Sequence, residues 1–82
     1  MLSKFPNKTL KVGAKVSLSP QHEWRIGDAN PVGISGIVSY VSQDHVYGMI
    51  RVVWENERSN TYNNSDYDLI AEGEPGYLET YF

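Results

Sequence analysis

Eighty-two residues, 40% of them apolar, make one small domain; a chain of this size buries roughly 60–65% of the surface its unfolded form exposes, so its core is thin. The absence of cysteine removes disulfides, thiolate metal sites and cysteine nucleophiles together. A net charge of −3 argues against a strong nucleic-acid binder, which carries a basic surplus.

The charges are unevenly spread. Lys4, Lys8, Lys11 and Lys15 stand in the first half, while Glu55, Glu57, Asp66, Asp68, Glu72, Glu74 and Glu79 crowd the second. Such asymmetry can steer a charged partner, although surface charge ordinarily serves solubility. The first residues lack the apolar run of a signal peptide and no stretch reaches membrane-spanning length, so the sequence predicts a soluble cytoplasmic protein.

Residues 1–9 read as a loose polar lead-in, with Phe5 packing on the domain edge. Leu10 to Leu18 predicts the first strand, with Val12, Ala14, Val16 and Leu18 on its core face. Ser19-Pro20 ends it, with Ser19 capping a helical turn. Residues 20–31 show no sustained period. A long loop in so small a domain is commonly functional, and Trp24 within it either plugs the core or stands exposed. Gly33 to Val41 predicts a second strand whose apolar parity switches, with Ile34, Val38 and Tyr40 in one phase and Ile37 and Val41 in the other. Its glycines point to a bulge or bend.

Ser42 to Gly48 is a turn. Met49 to Trp54 then alternates strictly, Ile50, Val52 and Trp54 against Met49, Arg51 and Val53, as a half-buried strand does. Glu55 to Arg58 reverse the chain, and Thr61 and Tyr62 resume β-favouring residues. Asn63 to Asp66 predicts one 3₁₀ turn and Asp68 to Ala71 a closing strand. Gly73, Pro75 and Gly76 end the domain near residue 72. The expected fold is therefore an all-β, five-stranded SH3-like barrel over residues 10–72, with a lead-in at 1–9, a long first loop and a short 3₁₀ turn before the last strand. An acidic aromatic tail fills residues 73–82. That tail is either frayed, or an extra strand on this or a neighbouring molecule's groove, giving autoinhibition or a homodimer.

Five separated motifs carry a family resemblance: Trp24-x-x-Gly27-Asp28, Gly33-x-x-Gly36-x-Val38, Val53-Trp54-Glu55-Asn56, Asn60-x-Tyr62 and Tyr67-Asp68-Leu69. Together they resemble the Mind bomb-type (MIB-like) domain, shared with a giant HECT-type ubiquitin ligase, and the match spans about residues 10–72. The resemblance implies an SH3-like barrel and recognition of a peptide segment without a ubiquitin-ligase catalytic region. Glu55 stands where that family prefers Asp, Asn30-Pro31 replaces a Gly-rich stretch, and Asn63 stands where Arg is common. Glu57 replaces the turn Gly, so the hairpin is expected to avoid positive φ.

Catalysis is not expected. The histidines are His22 and His45, and neither His22-Glu23 with Asp28 nor Asp66 with Asp68 forms a metal or acid–base set at a recognisable spacing. Neither a cofactor nor a metal is expected. Small barrels instead bind extended peptides in the groove between the long loop and the central hairpin. The candidate partner-binding residues are Trp24, Arg25, Tyr47, Arg58, Tyr62 and Tyr67, with Trp54 and Tyr62 alternatively part of the core. The partner is then another protein or a peptide. A single-stranded nucleic acid is the competing partner, contacted by Arg25, Arg51 and Arg58 with Tyr40 and Tyr47. A stand-alone inhibitor or host-interaction factor, such as a viral accessory protein, also suits so small and acidic a chain.

Overall fold

The computed structural model describes residues 1–22, 27, 29–42 and 48–80. It is all-β, with five strands in one antiparallel sheet: β1 (Lys15–Leu18), β2 (Ser35–Val41), β3 (Met49–Trp54), β4 (Ser59–Asn63) and β5 (Leu69–Ala71). The strand order is β4-β3-β2-β1-β5, which leaves β4 and β5 as edges, with no ladder between them among the described residues.

β3 is the spine of the core. Ile50, Val52 and Trp54 are buried and join Val16, Leu18, Val38, Tyr62 and Leu69 in one apolar cluster. The parity switch in β2 has a physical origin: its pairing with β3 slips between Val38 and Tyr40, so the bulge lies at Ser39 and not at a glycine. A bulge rotates the following residues by one position. Val38 is thus buried, Tyr40 turns outward at 57% exposure, and Val41 packs against the core. Gly36 has a different task. A Cβ there would lie 2.5 Å from Trp54 Cε3 and 2.6 Å from Val52 Cγ1, so its missing side chain is what lets the indole lie across β2.

β1 is shorter than the sequence pattern predicts, and Val12 is 65% exposed. The chain turns before the strand, where Ala14 N donates to Lys11 O and Gly13 takes a φ of 94°. Ser17, expected on the solvent face, is fully buried because the tail covers that face. Residues 72–80 run back as consecutive turns. Leu78 N donates to Ser17 Oγ (2.8 Å), the Tyr77 hydroxyl meets Ser35 Oγ (2.9 Å), and Gly76 packs near Ile70. The tail is docked, but through turns and not as an added strand.

The lead-in is not loose. Ser3 N, Asn7 N and Lys8 N donate to the carbonyls of Tyr67, Asp66 and Asn64. Asn7 is completely buried; its Nδ2 donates to Asp68 Oδ1 (2.7 Å) and Asn63 O (2.9 Å), and its Oδ1 accepts from Leu69 N (3.2 Å). Phe5, expected on the domain edge, is 54% exposed. The 3₁₀ helix lies here, at Asn7–Thr9, whereas the stretch before β5 forms an ordinary turn closed by Asp66 N to Asn63 O. Ser19 caps its turn as expected, accepting Gln21 N on Oγ (3.1 Å). Among the described residues, no helix is long and apolar enough to cross a membrane.

Candidate functional site

The groove expected between the long loop and the hairpin has a counterpart at the outer edge of β4. Trp54 N bonds Arg58 O, and Asn64 N bonds Gly48 O. In an antiparallel ladder this phase turns the backbone polar groups of Ser59, Thr61 and Asn63 away from β3, toward the open edge. Beside that edge lies the end of the long loop, and Asn30, Met49, Asn60, Thr61, Tyr62 and Asn63 line a trough of about 270 Å³.

A polar relay fixes the trough's wall. Trp54 Nε1–H donates to the Tyr62 hydroxyl (3.2 Å), which donates in turn to Asn30 Oδ1 (2.9 Å). The two rings also meet edge to face, with centroids 6.1 Å apart, a favourable aromatic arrangement. Asn60 completes the strap: Nδ2 donates to Asn30 Oδ1 (2.9 Å), while Oδ1 accepts from Thr61 N (2.8 Å). Asn60 therefore holds the loop and occupies one edge donor simultaneously. Burial pushes the Tyr62 phenol well above its ordinary pKa, so it stays protonated and keeps donating.

The expected contact residues are not gathered into one patch. Trp24, Arg25 and Tyr47 lie outside the described residues, as do His45, Glu23 and Asp28. Tyr62 is only 1% exposed, which corrects its placement as a surface contact: its ring is core and its hydroxyl is structural. Arg58 is exposed in the β3–β4 turn, and Tyr67, 45% exposed, lies beyond the far end of β4. The five residues of β4, at about 3.3 Å each, and the three that follow them keep those two apart. The trough is instead lined by asparagines. Their clustering in Asn60, Asn63 and Asn30 reads in a sequence as turn chemistry, which is why it gave no binding signal.

On the outer face of the sheet, Tyr40 pairs in register with Arg51, and Ile37 with Val53. Arg51 Nη2 donates to Ser59 Oγ (3.2 Å), which lays the guanidinium along β4. His22 is buried, with Nδ1 at 2.6 Å from Ser19 O. Among the described residues, no group of three or more histidines and carboxylates is placed to hold a metal ion. The chemistry on offer at the trough is hydrogen bonding from amides, a hydroxyl and a strand edge, beside the apolar Met49 side chain. Compared with protein families, curated proteins and solved structures, the chain matches none.

Proposed function

We infer that this chain is a non-catalytic recognition module that binds an extended peptide segment of another protein at the β4 trough. The carrying observation is the strand edge itself: Ser59 and Thr61 turn backbone groups away from β3, with the Thr61 N–H held by Asn60 and the Asn63 carbonyl by Asn7, beside a wall that Asn60 and Tyr62 hold in place. An extended peptide satisfies such an edge with its own backbone, and side-chain amides on the rim add specificity. The architecture we assign is the SH3-like barrel, supported by the strand order and by the bend that the β2 bulge introduces. The Mind bomb-type resemblance supports the same architecture. Its motif residues Gly36, Trp54, Tyr62, Asp68 and Leu69 are buried here, so the likeness describes a way of folding more than a choice of partner.

Affinity capture from lysate with and without nuclease, followed by binding measurements on the Thr61→Arg variant, tests the reading. Thr61 is exposed, so the variant should fold normally, and retained partner should drop if the trough is the site. A second reading, binding of single-stranded nucleic acid, draws on Tyr40 beside Arg51 on the open sheet face, where an aromatic ring and a cation suit a stacked base. Capture that vanishes with nuclease and with Tyr40→Ala would favour it. A role as a stand-alone inhibitor or host-interaction factor is a use of the same recognition chemistry, and the identity of the captured protein decides it.

A further inference from the structure

A second groove shares no lining residue with the β4 trough. Lys8, Leu10, Lys11, Val12, Val41, Ser42 and Asn64 line about 470 Å³ of open space, within the range of ligand-sized clefts. Its walls are held by backbone: Lys8 N donates to Asn64 O, Gly13 N to Val38 O and Val38 N to Ala14 O, at 2.7 to 2.9 Å. The floor is aliphatic, from Leu10, Val12 and Val41. The rim carries the two lysines and no carboxylate among the described residues, in a chain whose net charge is −3. Neither lysine is in an ion pair among the described residues, whereas Lys15 is near Glu72.

We propose that this groove binds an extended acidic peptide segment that alternates carboxylates with aliphatic side chains. Carboxylates would meet Lys8 and Lys11 while an aliphatic side chain rests on Leu10, Val12 and Val41. Val12 is the feature that calls for a partner, being 65% exposed beside two lysines with no ion pair among the described residues. A peptide fits better than a nucleic acid, because no aromatic ring among the described residues lines the groove to stack on a base. The pre-set walls mean that little ordering is needed on binding.

The test is titration of the ¹⁵N-labelled chain with the blocked peptide acetyl-Glu-Leu-Glu-Leu-Glu-amide and its glutamine counterpart. Saturable shifts are expected at the amides of Lys8, Lys11, Val12, Val41 and Ser42. The glutamine peptide and the Lys8→Glu/Lys11→Glu double variant should each weaken binding by about tenfold or more, the combined effect of two charge contacts. Both lysines are exposed, and an unchanged spectrum away from the groove would confirm that the variant folds. Equal binding of the glutamine peptide overturns the proposal, as does absence of saturation at about 5 mM peptide, a concentration that would detect even millimolar affinity. Shifts confined to Asn30, Asn60 and Thr61 also overturn it while supporting the β4 trough. Tighter occupation of the groove by oligothymidylate than by the acidic peptide overturns it in favour of a nucleic acid.

Discussion

Glu57 has a φ of 69°, the left-handed conformation that a turn glycine would adopt without strain. The hairpin does not avoid positive φ, as its sequence suggests; it imposes that conformation on a glutamate. Glu57 N donates to Trp54 O and Trp54 N to Arg58 O, and these two bonds close the turn against the side chain's preference. Left-handed geometry costs a non-glycine residue about 1–2 kcal/mol, part of which glycine gives back as unfolded-chain entropy. Glu57→Gly should therefore stabilise the fold by about 0.5–1 kcal/mol, raising Tm by several degrees in a thermal melt. Asp68 is the second residue whose setting makes a prediction. Burial raises its pKa above the ordinary carboxylate value, against the opposing hydrogen bond from Asn7, with a nearby Asp66 adding to the rise. The folded state thus holds this proton more tightly than the unfolded one. Its contribution to stability is fully present below the unfolded carboxylate pKa, about 3.9, and is lost as pH climbs through the raised folded value. Denaturant melts of wild type and Asp68→Asn should give a difference that moves against the wild type across that window and is level above it.

Among the elements, β3 is the most legible in the sequence, and β1 the least. Ile50, Val52 and Trp54 alternate because one face of β3 is core and the other is open, and a period of two records that directly. β1 is covered on both faces at Val16 to Leu18, by the core and by residues 72–80, so its burial does not follow the alternation of its sequence and Ser17 gives no hint of being buried. The β2 bulge was legible as a break in parity, but its position at Ser39 was not, because Gly36 supplied a more obvious candidate. That glycine serves the indole instead, and Gly36→Ala makes the point measurable. The added methyl group meets a buried ring and a buried valine, both fixed in the core, so a loss of about 1–3 kcal/mol is expected in a denaturant melt. The trough at β4 was legible only as a region between a loop and a hairpin. Its residues are polar, and polarity alone does not distinguish a turn from a binding rim.

At the scale of the whole molecule, contacts distant in sequence dominate. Asn7 reaches residues 56 to 62 positions away, and that is why the lead-in looks unstructured when read locally. Asn7→Ala would strip partners from a buried amide N–H and a buried carboxyl group. Unsatisfied buried groups cost about 1–3 kcal/mol each, so the variant should lose about 3 kcal/mol or more in a denaturant melt. The ion pair between the Met1 amino group and Glu79 is exposed, and its removal should matter far less.

The bond from Asn7 to Leu69 also fixes an order of events. Asn7 is synthesised well before its hydrogen-bond partners, because Asn63, Asp68 and Leu69 must all have been made before the amide of Asn7 can be satisfied. The nascent chain consequently has no partially closed form in which Asn7 is already in place. Closure of this segment waits until Leu69 has been made, and until then the stretch carrying Lys8 and Lys11 is open to whatever else is nearby.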